Sequence, residues 1–367
     1  MADERVKKLA DLLVHYSIAV QPDDWVLVRG HVAAEPLVKE VVEAVWAAGG
    51  RTTLQLNSDM VSEAIFRVAS DAQLNWVAPS ETLLFNEVDA LIALNATNNT
   101  RSMNTIDPRK QQIAQLARKE LTETYLHRAA EGSLRWVGTA YPCAAYAQEA
   151  SMSLHDYENF AYGACFVDKE DPKAEWLKVH DMQQKLVDWL AGRKQVDIQS
   201  KYAELSLSIE DRTFINSDGK KNMPSGEIFT GPVEHSINGW VEFTYPAIRA
   251  GREVEGVRLE FKDGQVVKAT AEKNEAYLLS QLDSDEGARF LGEWALGTNY
   301  GIQQFTKSIL YDEKIGGTMH MAVGAGYPET GSKNTSAIHW DFICDMREDS
   351  EILVDGELFY KNGAFEV

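Results

Sequence analysis

Trp25-Val-Leu-Val-Arg-Gly-His-Val-Ala-Ala-Glu35-Pro-Leu-Val-Lys-Glu-Val-Val-Glu-Ala-Val-Trp-Ala-Ala-Gly49-Gly50-Arg-Thr52-Thr-Leu-Gln-Leu56 reads as strand, helix, strand. Trp25 to Gly30 is a short apolar run ending on glycine, the pattern of a buried strand. Glu35 to Ala48 is helical and is stopped by Gly49-Gly50, after which Thr52 to Leu56 returns to a strand. The unit extends in both directions. Arg5 to Tyr16 sets Val6, Leu9, Leu12 and Leu13 at helical spacing. Asp89-Ala-Leu-Ile-Ala-Leu-Asn95 and Leu134 to Ala140 read as further strands, separated by a helix that opens at Asp107-Pro108. Strands alternating with helices imply a mostly parallel sheet covered on both faces, an α/β domain.

The next helix starts at Asp171-Pro172, buries Trp176, Val179, Leu186, Trp189 and Leu190, and ends at Gly192. The polar stretch Arg193 to Lys201 then reads as the boundary between an N-terminal domain of residues 1–192 and a C-terminal domain of residues 193–367. The second domain has a different pattern. Glu204 to Ser208 alternates as a strand, and hairpins turn at Lys262-Asp-Gly264 and Lys361-Asn-Gly363. One clear helix is expected from Glu275 to about Gly292. This domain is expected to be α+β and rich in antiparallel strands.

The chain has 367 residues, 44% of them apolar and 25% charged, as in ordinary globular proteins. Its apolar runs are short and interrupted, so neither a membrane span nor a signal peptide is expected. Cys143, Cys165 and Cys344 are widely spaced and lie in apolar surroundings, which suits free thiols in a cytoplasmic protein. A formal net charge of −20 repels phosphate backbones, so nucleic acid is not an expected partner.

Two strands carry chemistry. In Ala337-Ile-His-Trp-Asp-Phe-Ile343, alternation puts His339 and Asp341 on one face and Ile338, Trp340 and Phe342 on the other. In Gly317-Thr-Met-His-Met-Ala-Val323, His320 opposes Met319, Met321 and Val323. A charge placed opposite such apolar groups is costly unless it is paired or bound to a cation. The plainer reading is a pair of core histidines satisfied by hydrogen bonds. Glu227 follows the Pro224-Ser-Gly226 turn, which would fix a carboxylate at the mouth of a site. Glu293 is expected at the C-terminal end of the clear helix, where the helix dipole disfavours it unless a cation compensates. Ser225 is not in a Gly-x-Ser-x-Gly elbow, Gly-x-Gly-x-x-Gly does not follow the first strand, and His-Glu-x-x-His is absent.

Asn222-Met-Pro-Ser-Gly-Glu227, Gly292-Glu293 with Asn299, Gly317-Thr-Met-His320, Gly326-Tyr-Pro-Glu-Thr-Gly331 and His339-Trp-Asp341 occur in one order. That ordered set resembles the signature of the M29 (thermophilic) aminopeptidases, the family of aminopeptidases T and S. Val26-Leu-Val-Arg-Gly30 with Pro36-Leu-Val is also similar to the family's N-terminal start. The resemblance implies metal ligands at Glu227, Glu293, His320, His339 and Asp341, with Glu293 bridging two ions, and an active-site tyrosine at Tyr327. It further implies an α/β N-terminal domain, a metal-bearing C-terminal domain and a homodimer. The resemblance implies divalent metals, zinc, cobalt or magnesium, and the mixed nitrogen and oxygen donors by themselves favour zinc, cobalt or manganese over calcium.

The expected activity is removal of the N-terminal residue from peptides with a free N-terminus, by water activated between two divalent ions. Glu227 or Glu293 would carry the proton and Tyr327 would steady the oxyanion. Without the resemblance, Tyr327 reads equally as a loop residue packed on Pro328. Two other functions fit the same ligand set: a metallohydrolase of another amide or ester, and a non-catalytic metal-binding oligomer.

Overall fold

The structure is a computed structural model that describes residues 3–249 and 251–367. Its Cα packing forms two compact units. One comprises the chain up to Lys173 together with Gly219–Pro224, the other Ala174–Asp218 together with Ser225–Val367.

The first unit contains a parallel sheet with strands β1 (Trp25–His31), β2 (Arg51–Asn57), β3 (Ala90–Asn95) and β4 (Arg135–Ala140) in the order β2-β1-β3-β4. The short strand Asn222–Met223 adds to β4, also in parallel. Val26, Leu27 and Val28 are fully buried, because helices such as Glu35–Ala47 cover the sheet. The helix cap at Asp107 forms as expected, its carboxylate accepting from the Arg109 amide before Pro108.

The second unit is mostly antiparallel β. An eight-stranded sheet includes Gln195–Ser200, the middle of the polar stretch expected to separate domains. Val196 and Ile198 alternate inward there and are fully buried, so period-two burial overrides the polar composition. Both expected hairpins form, pairing Arg258–Lys262 with Gln265–Thr270 and Glu357–Lys361 with Ala364–Phe365.

A second sheet in this unit carries the chemistry. Its strands are β5 (Ile215–Ser217), β6 (Glu227–Thr230), β7 (Leu291–Gly297), β8 (Thr318–Gly324) and β9 (His339–Asp345), ordered β9-β8-β7-β6-β5 and antiparallel throughout. One face packs Trp294, Leu296, Met319, Met321, Val323, Trp340 and Phe342 into the unit's apolar core. Each such side chain contributes about 1.5–3 kcal/mol by leaving water, enough together to hold polar groups on the opposite face.

The segment before Glu293 corrects one expectation. The helix ends at Leu282, and Glu293 lies inside β7, where every residue is buried. Helix-favouring Glu, Ala and Leu occupy a central strand because tertiary burial outweighs local propensity. Asp285 ends the helical pattern, accepting from the Gly287 and Ala337 amides and the Ser336 hydroxyl. Glu293 is therefore not subject to a helix C-terminal dipole. Among the described residues, no helix is long and apolar enough to cross a membrane.

Candidate metal centre

Strand register brings the expected donors onto one face. Glu293 on β7 pairs across Ala322 on β8 to Asp341 on β9. One row away, Ala295 faces His320, and beyond it Gly297 faces Glu227 on β6. On the other side, Gly324 faces His339. The positions among the donors are thus Ala295, Gly297, Ala322 and Gly324, which leave the face open for longer polar side chains. The opposite face holds the tryptophans, methionines and phenylalanine of the core.

Two turns hold this arrangement. Gly226 has φ +111, and a Cβ there would lie 2.6 Å from that of Asn299. Asn299 donates to the Ser225 carbonyl at 3.0 Å and so clamps the turn that delivers Glu227. That contact gives the Asn six positions after Glu293 a structural role. At Gly292, a Cβ would meet the Ala325 carbonyl oxygen at 2.2 Å, so the backbones touch where β7 begins.

The donor atoms interleave. His320 Nε2 is 3.3 Å from Glu293 Oε1 and 3.3 Å from Glu227 Oε2. His339 Nε2 is 3.5 Å from Glu293 Oε2 and 3.5 Å from Asp341 Oδ1. The two oxygens of Glu293 therefore face different histidines. His339 Nδ1 lies 2.7 Å from the Ala325 carbonyl, and only an N–H can donate there. This leaves Nε2 as the nitrogen turned toward the carboxylates. Donor atoms lie within 4.8 Å of one another in three groups: Glu227, Glu293 and His320; Glu293, His339 and Asp341; and Glu313, His320 and Asp341.

Glu313 was not among the residues singled out from the sequence. It lies in the charged run Asp312-Glu313-Lys314, which looks like a solvated loop. The available signal was its position three residues before the Gly316-Gly317-Thr-Met-His320 motif. Lys314 is fully buried, with Nζ 3.3 Å from Glu227 Oε1 and also paired with Glu313.

The electrostatics point to missing positive charge. Burial pushes the carboxyls of Glu227, Glu293 and Glu313 above their ordinary range. Asp341 is also opposed by burial, but the His339 bond and charge hold it below its ordinary value. Burial alone would lower both imidazoles. The Glu293 bond and nearby carboxylates instead raise His320 to about 9, and the Asp341 bond and charge raise His339 to about 10. Glu227 Oε2 is buried without a hydrogen-bond partner. Without metal, Glu227, Glu293, Glu313 and Asp341 are thus balanced only by Lys314 and by protons held on His320 and His339, and divalent cations that displace those protons fit this donor chemistry.

Tyr327 sits at the rim, 41% exposed, its ring 5.3 Å from that of His339 and 5.4 Å from that of Phe229. Its phenol is raised well above its ordinary range by partial burial and the surrounding carboxylates, so it remains an O–H donor. Beside it, His339 and Asp341 form part of the wall of a cavity of about 320 Å³.

The family model described as thermophilic metalloprotease (M29) matches residues 2–365. Aminopeptidase 2 of Geobacillus stearothermophilus is 25% identical over 392 aligned residues, spanning 96% of this chain and 94% of that protein. Aminopeptidase T of Thermus aquaticus is 24% identical, spanning 97% and 95%. In fold, the chain matches wild-type AmpT from Thermus thermophilus with a TM-score of 0.86 at 22% identity, covering 99% of each chain. A 2,5-dihydroxypyridine dioxygenase from Pseudomonas putida KT2440 shares the fold more loosely, with a TM-score of 0.60 at 12% identity.

Proposed function

Because the chain belongs to the thermophilic metalloprotease (M29) family, we propose that it is a metallo-aminopeptidase that removes the N-terminal residue of peptides at the face of β6–β9. The observation that carries this reading is the convergence of Glu227, Glu293, His320, His339 and Asp341 on that face. We assign these five as ligands of two divalent ions, zinc, cobalt, magnesium or manganese, with Glu313 as a further donor. Glu293 would be the residue placed to serve both ions, a reading supported by its two oxygens facing separate histidines. Divalent ions in this site would lower the pKa of a water and polarise the scissile carbonyl.

The chain's own groups do the rest. A site filled by divalent ions would take up a free, neutral α-amino group, which restricts cleavage to the first residue. An oxygen of Glu227 not engaged in ligation would take the proton of the attacking water and deliver it to the leaving amine. Tyr327 donates its hydroxyl hydrogen to the oxygen of the tetrahedral species. The His339 Nδ1–H bond to Ala325 holds the ring so that Nε2 keeps facing the site.

The free thiols Cys143, Cys165 and Cys344 support a reducing, cytoplasmic setting. Exposed Met60, Val61, Ile65 and Val68 on helix Asp59–Val68 supply an apolar face suited to a homodimer. The test of the reaction compares aminoacyl amides with their N-acetylated analogues, with and without added zinc, cobalt, magnesium or manganese. Cleavage of the free-amine substrates alone, restored by metal, is expected. Equal cleavage of the acetylated forms would identify a general amidase, and no metal-restored turnover would leave a metal-binding scaffold.

A further inference from the structure

We propose that the cavity beside His339 and Asp341 is a carboxylate-binding subsite, with Arg249 as its anchor, that selects substrates carrying a negative charge close to the scissile bond. This inference rests on the aminopeptidase reading and deepens it.

Arg249 lies in the strand Ala247–Arg249 and lines the cavity of about 320 Å³ with Phe305, Lys307, Ile309, His339 and Asp341. Its Nε donates to Gln281 Oε1 at 3.1 Å and its Nη1 to the His339 carbonyl at 3.0 Å. Both acceptors are neutral, and among the described residues no carboxylate pairs with this guanidinium. The two bonds fix the plane of the fork while leaving Nη2 uncommitted, a preorganised donor for an anion.

The other charges around the cavity are already accounted for. Lys307 is held by Glu253 Oε2 at 2.7 Å. Asp312 accepts from the Thr306 amide at 2.7 Å and hydroxyl at 2.9 Å. Asp341 belongs to the donor set. Arg249 is therefore the cavity cation with capacity left for a ligand, in a chain whose net charge of −20 otherwise disfavours anions.

The position limits the source of the charge. His339 and Asp341 are both cavity wall and proposed metal donors, so an anion bound there lies within about one or two residues of the cleaved bond, at roughly 3.5 Å per residue. Two groups on a short peptide meet that limit: the C-terminal carboxylate of a dipeptide or tripeptide, and an acidic side chain next to the bond.

The experiment measures kcat/KM of the metal-loaded full chain on Leu-Ala, Leu-Ala-amide, Leu-Glu-amide and Leu-Gln-amide. A preference of about tenfold or more for Leu-Ala over its amide assigns the subsite to the peptide C-terminus, and a like preference for Leu-Glu-amide over Leu-Gln-amide assigns it to an acidic side chain. In Arg249→Met the preferred ratio is expected to fall to near one, whereas Arg249→Lys keeps part of it. A ratio unchanged in Arg249→Met removes Arg249 from the subsite, and melting curves of both variants check that they fold. If the wild type cleaves both amides with neither preference, the subsite is disproved while the aminopeptidase reading stands. If it cleaves none of the four peptides, both readings fail together.

Discussion

At His339 one ring nitrogen is committed to the Ala325 carbonyl and the other faces Glu293 and Asp341, so a single hydrogen bond decides what the imidazole can do. Glu293 has the complementary position, with one oxygen toward each histidine. Glu293→Gln keeps the volume and removes the charge. It is expected to lower kcat/KM by about 10²–10⁴-fold, reduce bound metal by elemental analysis, and leave the circular dichroism spectrum unchanged. Wild-type turnover in that variant would overturn the assignment. Tyr327→Phe is expected to lower kcat by about 10²–10³-fold with KM and metal content little changed, because the donor acts on charge that develops in the transition state. The placement of His320, His339 and Asp341 on one face was legible in the sequence, since each sits opposite large apolar neighbours. Glu313 was not legible: its place beside His320 and Asp341 depends on where the turn before β8 lands, and adjacent Asp312 and Lys314 give it the look of a solvated run.

At the scale of the strand, the site depends on what does not project from the sheet. Ala322 separates Glu293 from Asp341 in one row, and Ala295 lies beside His320 in the next. Ala322→Leu would add three carbons among the donors, and overpacking of this kind costs about 1–3 kcal/mol. It is expected to abolish metal retention, whereas Met321→Leu, one position away on the core face, keeps it; equal metal content in the two variants would contradict the face assignment. The strands around His320 and Asp341 were legible because period-two alternation is sharp there. β7 was not, because Leu-Gly-Glu-Trp-Ala-Leu-Gly is compatible with a helix and only its central place in the sheet makes it a strand. The helix dipole expected at Glu293 is absent for the same reason. Gln195–Ser200 was hidden in a similar way, its inward Val196 and Ile198 masked by polar neighbours on the outward face.

Across the whole molecule, the parallel sheet of the first unit and the antiparallel sheets of the second follow from the pattern of strands and helices, whereas the point at which the chain divides does not. The break at Lys173 depends on helix Pro172–Leu190 contributing Leu186 and Leu190 to the second unit's core, a partner choice that local sequence does not specify. The concentrated charge also makes global stability depend on pH. Without cations, Glu227, Glu293 and Glu313 are raised by burial and His320 and His339 by their acidic partners, so the folded state holds protons more tightly than the unfolded chain. The contribution of these five groups to the stability of the metal-free protein is then fully present below their unfolded pKa values and is lost as pH rises through the folded ones. Asp341 is lowered and has the opposite sign, but its contribution is complete above the ordinary carboxylate range. Bound cations replace those protons. The melting-temperature gap between metal-loaded and chelated protein should therefore widen between about pH 5 and about pH 9 in calorimetry, and a gap that narrows would contradict this charge balance. The most direct test of the central claim is native mass spectrometry of the purified chain during titration with zinc or cobalt. The account predicts two tightly held ions per chain, with occupancy reduced in Glu293→Gln; a wild-type chain that retains no divalent ion would contradict it.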